Sequence, residues 1–157
     1  MSAPRALNPQ WIAAVLAGVN PCPYFQLQSM RLEDLAWGRA ELRIDLARKH
    51  LQPFGVAHGG VVASIIDAAC FWACFSQAPV GKGMTTVDIK LNYLAPAVDG
   101  ALLASGRCLK LGRGLGLGEA SVRDRTGRLL AQGLSTVMLV DNLALPGQED
   151  WPAKFLG

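Results

Sequence analysis

The sequence predicts an α+β fold in which one long central helix is wrapped by a curved antiparallel sheet of five or six strands. Three observations lead there. The run 61–77 is helix-length and apolar, and Asp67 is its only charged residue. Five other segments, 38–46, 85–94, 101–111, 115–124 and 128–140, alternate apolar and polar residues as half-buried strands do. The chain has 157 residues, 51% apolar and 17% charged, which suits one domain around one core. A helix that is apolar all round must be enclosed on most sides. A sheet curling round it is the economical enclosure, and it leaves a face for a partner subunit to cover.

The elements follow in order. Over 8–18, Asn8 is placed to cap a short helix with Pro9 in its first turn, and Trp11, Val15 and Leu16 form an apolar face. Asn20-Pro21-Cys22-Pro23 breaks it. From Gly38, Ala40, Leu42, Ile44 and Leu46 alternate with Arg39, Glu41, Arg43 and Asp45, giving a strand with one wet face. Residues 50–58 read as loop, with Pro53 and Gly55 inside, before Gly59-Gly60 opens the helix. In 85–94, Val87, Ile89, Leu91 and Tyr93 oppose Asp88, Lys90 and Asn92. Residues 96–100 connect this strand to the next, and Arg125-Thr126-Gly127 makes the last hairpin turn. The division is an N-terminal extension over 1–23, the wrapped-helix domain over 24–141 and a C-terminal tail over 142–157.

Composition narrows function. Low charge and high apolar content exclude intrinsic disorder, and a net charge of +3 with 7% aromatics argues against nucleic acid. The greasiest stretch, 59–81, carries Asp67 near its middle, which argues against a membrane span. The first residues show no export signal, and Cys22, Cys70, Cys74 and Cys108 read as small buried hydrophobes in a reducing compartment. The expected location is cytoplasmic.

Two features carry chemistry. Gly59-Gly60 places amides with no intrahelical partner at the positive end of the helix dipole, where glycine admits a ligand closely. That end suits a carbonyl oxygen that turns negative in a transition state, although the same glycines also suit a tight loop-to-helix turn. Asp67 is a carboxylate in an oily helix, with Ala63, Ser64, Cys70 and Phe71 at the neighbouring helical positions and no base among them. It is a functional acid, or it sits at a solvent-open edge or pairs with a distant base such as Arg107.

His58-Gly59-Gly60, with an acid nine residues after the histidine, resembles the hot-dog acyl-CoA thioesterases of the PaaI type. Gln52-Pro53-Phe54-Gly55 is similar to the branch acting on aryl-CoA thioesters such as 4-hydroxybenzoyl-CoA and 1,4-dihydroxy-2-naphthoyl-CoA. Thr86-Val87-Asp88, Asn92-Tyr93-Leu94-Ala95-Pro96 and Asp124-Arg125-Thr126-Gly127-Arg128-Leu129 continue the likeness along most of 24–140. The resemblance implies Asp67 as general base or nucleophile, Gly59 as the amide that polarises the thioester carbonyl, and Gln52 and Thr86 as positioning groups. His58, Gly60, Phe71 and Arg113 complete the expected substrate-contacting set, His58 through a loop-shaping hydrogen bond rather than proton transfer. It also implies that the acid of one subunit faces the glycine of its neighbour, in a homodimer or a dimer of dimers (a homotetramer). The chain departs from several aryl-CoA members at Phe71, where they carry Ser or Thr. Phe71 and Trp72 either line the acyl pocket or pack in the core.

A thioester is electrophilic enough for one carboxylate and one oxyanion donor, and neither a Gly-x-Ser-x-Gly elbow nor a metal-ligand spacing occurs among His50, His58 and Asp67. No metal is expected, and no cofactor beyond the coenzyme A of the substrate. Lys110, Arg113, Arg123, Arg125 and Arg128 outnumber Glu119 and Asp124 over 110–128; Arg113, between two glycines, is the leading candidate for the phosphates, against a plain solvated hairpin. The expected activity is hydrolysis of an aryl- or medium-chain acyl-CoA. The alternatives are a non-catalytic acyl-CoA sensor and an acyl-CoA hydratase, the latter disfavoured because no histidine follows Asp67.

Overall fold

The computed structural model describes residues 5–156; the outermost parts of the expected N-terminal extension and C-terminal tail, 1–4 and 157, lie outside the described residues. Helices α1 (Pro9–Val19) and α2 (Pro23–Gln28) precede strands β1 (Met30–Ala36) and β2 (Arg39–Asp45). Helix α3 (Gly59–Gln77) follows, then β3 (Lys82–Tyr93), β4 (Ala101–Leu111), β5 (Leu115–Arg123) and β6 (Leu129–Asp141). The six strands form one antiparallel sheet in the order β1-β2-β4-β5-β6-β3. This is the hot-dog arrangement, with the sheet wrapped on α3 as the apolar run required.

The helix lies close against the sheet because the contacting residues are small. A Cβ on Gly106 of β4 would stand 2.2 Å from the Ala69 carbonyl oxygen, and one on Gly118 of β5 would stand 2.9 Å from the Cys70 Cβ. Ile65, Ile66, Ala69, Cys70, Ala73 and Cys74 are fully buried in that contact. By length and composition α3 would pass for a membrane span, yet the fold encloses most of it.

Two elements were missing from the sequence reading. Strand β1 escapes a period-two search because a bulge between Leu32 and Asp34 puts Met30, Leu32 and Leu35 on the inner face, out of strict alternation. Helix α2 is one and a half turns long, too short for a periodic face to show. The phase expected for β3 also needs correcting. A bulge at Val87 sets two β3 residues against one on β6, so Thr86 and Leu91 both face the helix although an odd number of positions separates them. Val87 itself is 55% exposed.

Asn8 caps α1 as expected, its side chain accepting from the Gln10 amide at 3.0 Å. Asn20, in the expected break, holds the outer edge of β1 by bonding both the amide and the carbonyl of Leu32 (2.8 and 3.1 Å). The C-terminal segment is anchored. Lys154 is buried, and its ammonium donates to the carbonyls of Phe75 and Ala78 (2.7 Å each) at the end of α3. Burial pushes that ammonium down to about 7, with Arg5 adding repulsion.

Candidate active site

Asp67 sits half-buried on α3, on the helix face that turns toward β3 and β6. Its Oδ1 accepts from the Thr86 hydroxyl at 2.9 Å and from the Ser135 hydroxyl at 3.2 Å. Among the described residues no basic side chain pairs with it. Arg107, the cation considered for that part, bonds Glu119 instead, at 3.0 Å through Nε. The carboxylate is thus oriented by two neutral hydroxyls, and its second oxygen accepts from no donor among the described residues. Cys70, one turn along, is no competing nucleophile, because burial and the Asp67 charge push its thiol up to about 12.

The resemblance offered Thr86 as a group positioning the water, whereas here it bonds the acid itself, and Ser135 was missed. Ser135 is fully buried on β6, and its hydroxyl also reaches the Asp88 carbonyl at 3.0 Å, at the β3 bulge. Its signal in the sequence was a polar residue at the inward position of β6 between Gly133 and Val137, which also face inward. The partner it serves lies 68 residues away and could not be read from spacing.

The amide side is built by the loop before α3. His58 caps the helix, its Nδ1 accepting from the Gly60 amide at 2.8 Å, which is the loop-shaping role expected of it. The Gly60 amide is therefore engaged, whereas the Gly59 amide donates to no acceptor among the described residues. Tyr93 closes over this glycine: its hydroxyl donates to the Gly59 carbonyl at 2.9 Å, and a Cβ on Gly59 would stand 2.8 Å from that oxygen. Gln52 is locked in a tight turn, its side-chain oxygen accepting from the Phe54 amide at 2.6 Å. That bond fixes which end of the amide is which, so Gln52 presents its NH2 group as a donor. His50, buried nearby, accepts from the Ala47 amide at 2.9 Å through Nδ1 and shapes the loop; burial holds its imidazole toward the neutral form.

Gln52 and Gly59 line one cleft and Asp67 another, whereas Thr86, Ser135, His50, His58 and Gly60 line neither. The amide-side cleft, about 440 Å3, includes Gln52, Gly59, Tyr93 and Leu94. The acid-side cleft, about 430 Å3, is walled by Phe25, Met30, Phe71 and Trp72, with Tyr24, Ser64 and Asp67 as its polar residues. Phe71 stacks on Phe75, Trp72 meets both rings edge-on, and Phe71 and Trp72 also line this cleft. Arg113 lies exposed in the β4–β5 turn and lines neither cleft. Gly59 and Asp67 are eight residues apart on one helix, so at ~1.5 Å of rise per residue they are separated by about 12 Å. One thioester carbonyl cannot touch both within a single chain.

Residues 54–131 match the family model described as the thioesterase superfamily. A Saccharolobus solfataricus protein with an esterase designation is 30% identical over 112 residues, spanning 71% of this chain and 74% of that protein. The 1,4-dihydroxy-2-naphthoyl-CoA hydrolase of Listeria monocytogenes is 25% identical over 100 residues, 64% of this chain and 81% of that one. Among solved structures, a thioesterase family protein from Silicibacter pomeroyi is 29% identical and superposes with a TM-score of 0.74, over 84% of this chain and 97% of its own.

Proposed function

The chain belongs to the thioesterase superfamily and is a thioester hydrolase, and we propose that it cleaves an aryl- or medium-chain acyl-CoA between the Asp67 of one subunit and the Gly59 of another. The observation that carries this reading is the state of Asp67. It is a carboxylate without a cation among the described residues, steadied by Thr86 and Ser135, and it opens on a cleft with aromatic walls. A structural aspartate in oily surroundings is ordinarily paired, and one left free at a cleft is suited to taking a proton.

The reaction then runs as follows. The thioester carbonyl oxygen accepts from the Gly59 amide, with the Gln52 NH2 group beside it. Asp67 takes a proton from water as the water oxygen adds to the carbonyl carbon. The tetrahedral oxyanion gathers its charge against the Gly59 amide and the helix dipole. Collapse breaks the carbon–sulfur bond, and the departing coenzyme A thiolate takes the proton back from Asp67. Written this way, the reaction calls for no metal and no cofactor beyond the coenzyme A of the substrate. Attack by Asp67 itself would pass through an acyl-carboxylate anhydride. A single turnover in 18O-labelled water separates the routes, since the anhydride route can leave label in Asp67.

Two copies of the chain are part of this proposal. β3 ends the sheet with an unpaired edge, and Thr86 on that strand reaches Asp67, so a second chain along the edge is well placed to bring its amide side near the acid. A further apolar face, with Leu115, Leu117, Leu134 and Met138 exposed on the outer side of β5 and β6, supports a dimer of dimers. The activity test is thiol release from a panel of benzoyl-, phenylacetyl-, dihydroxynaphthoyl- and straight-chain CoA esters. Asp67→Asn should lower kcat by about 10² to 10⁴, the usual range for a general base. Equal rates from the two proteins would remove Asp67 from the mechanism.

A further inference from the structure

The acid-side cleft has one wall that comes from ahead of the residues matched to the family model. Tyr24 and Phe25 come from α2, outside the matched residues 54–131, and Tyr24 is 50% exposed at the cleft. Its hydroxyl lies 2.6 Å from the Ser64 hydroxyl, and Ser64 stands one turn before Asp67 on the cleft-lining face of α3.

The direction of these bonds is fixed by proton count. The Ser64 hydroxyl donates to the Gly60 carbonyl at 2.8 Å, which commits its only proton. Ser64 can therefore only accept from Tyr24, and the Tyr24 proton is committed in turn. What Tyr24 keeps is a lone pair on Oη. The Tyr24–Ser64–Gly60 relay thus makes the phenol oxygen an acceptor with no proton to give.

We propose that Tyr24 is a specificity-determining residue that selects acyl groups with an apolar body and a hydrogen-bond donor, a hydroxyl or an amino group, over groups carrying an acceptor alone. The aromatic walls take the body, and the Tyr24 oxygen takes the donor. An ether or halogen at the same place meets a lone pair and loses its water without replacement. This inference rests on the proposed acyl-CoA hydrolysis for its choice of substrate, but the relay itself is a property of the fold.

The experiment compares para-hydroxy- and para-methoxybenzoyl-CoA, reading the ratio of kcat/KM values in the wild type, Tyr24→Phe and Ser64→Ala. A neutral hydrogen bond at this half-exposed hydroxyl corresponds to about fivefold, so the wild type should prefer the hydroxy ester by about that factor. Tyr24→Phe should bring the ratio to within about twofold of unity. Ser64→Ala frees the Tyr24 proton, so the methoxy ester should gain on the hydroxy ester relative to the wild type. A wild-type ratio near one, or a preference that survives Tyr24→Phe, overturns the proposal. Non-hydrolysable thioether analogues of the two esters, titrated calorimetrically, read the same ratio as affinities. Absence of thiol release from every ester would therefore fail the catalytic reading, and the analogue ratio would still decide the role of Tyr24.

Discussion

The two clefts of this molecule are assembled by different means. The donor side of the amide-side cleft is built by backbone: the Gly59 amide at a helix end, beside a turn locked by Gln52 onto Phe54 and a His58 cap that uses up the next amide. The acid-side cleft is mostly side chain, drawn from α2, the start of β1 and the middle of α3, with its carboxylate held by two further strands. The donor of the first is set by neighbours in sequence, although Tyr93, Leu94 and Leu130 wall its cleft from afar, whereas the acid of the second is held by residues that only folding brings together. Each half is chemically incomplete. One offers a donor for negative charge with no base, the other a base with no oxyanion donor, and the rise of α3 keeps them about 12 Å apart in one chain.

The strongest way to break that division is to mix two crippled chains. Asp67→Asn and Gly59→Ala subunits, each inactive as its own dimer, should together recover about a quarter of wild-type kcat. Half of the dimers would then be mixed, and half of the sites in those would be intact. Recovery in mixtures, measured by thiol release after co-refolding, would place the acid and the amide on different chains; none would put them on one. The Gly59→Ala lesion is itself expected to act locally, since its methyl group meets the Tyr93 hydroxyl at 2.8 Å.

A smaller effect probes the hydroxyls behind the acid. Thr86→Val and Ser135→Ala should each lower kcat by up to about tenfold, one oriented hydrogen bond's worth, with KM within about twofold. Thr86→Val should cost more, because its bond is the shorter and is not shared, whereas Ser135 divides its proton between Asp67 and the Asp88 carbonyl. The reverse order, from steady-state kinetics, would move the orienting role to β6.

The smallest expected effect lies at the other end of α3, where Lys154 closes the helix. Its ammonium is pushed down to about 7 by burial, while an unfolded lysine keeps its proton to about 10.4. Above pH 7 the unfolded chain therefore binds more protons than the native one, and this residue makes stability rise with pH; below 7 its penalty is fully present and constant. Cys70 acts oppositely above about 8.5, where an unfolded thiol ionises but the buried one, near 12, does not. Denaturation midpoints of the wild type relative to Lys154→Met should thus climb from pH 7 to 8.5. A flat difference would mean that the lysine stays charged against its two carbonyls and the rings of Trp11 and Phe75.

Much of this architecture was legible in the linear chain, because its signals are local. The apolar length of α3, the alternation of β2, β4, β5 and β6, the Asn8 cap and the Gly59-Gly60 entry each depend on residues a few positions apart. What failed to show was whatever breaks a period. The bulge hid β1, the Val87 bulge reversed the phase within β3, and α2 was too short to repeat.

The sequence by itself determined that one enclosed helix carries a lone acid eight residues after a glycine-rich start, because a charge in a uniformly oily helix is visible without coordinates. Only the tertiary structure decided what surrounds that acid. Thr86 and Ser135 reach the acid from β3 and β6, Tyr24 and Ser64 line its cleft from α2 and α3, and the relay that turns Tyr24 into an acceptor exists only once α2 lies against α3. Periodicity records which face a residue turns inward, but the hydrogen-bond partner it finds there depends on packing between segments far apart in the chain.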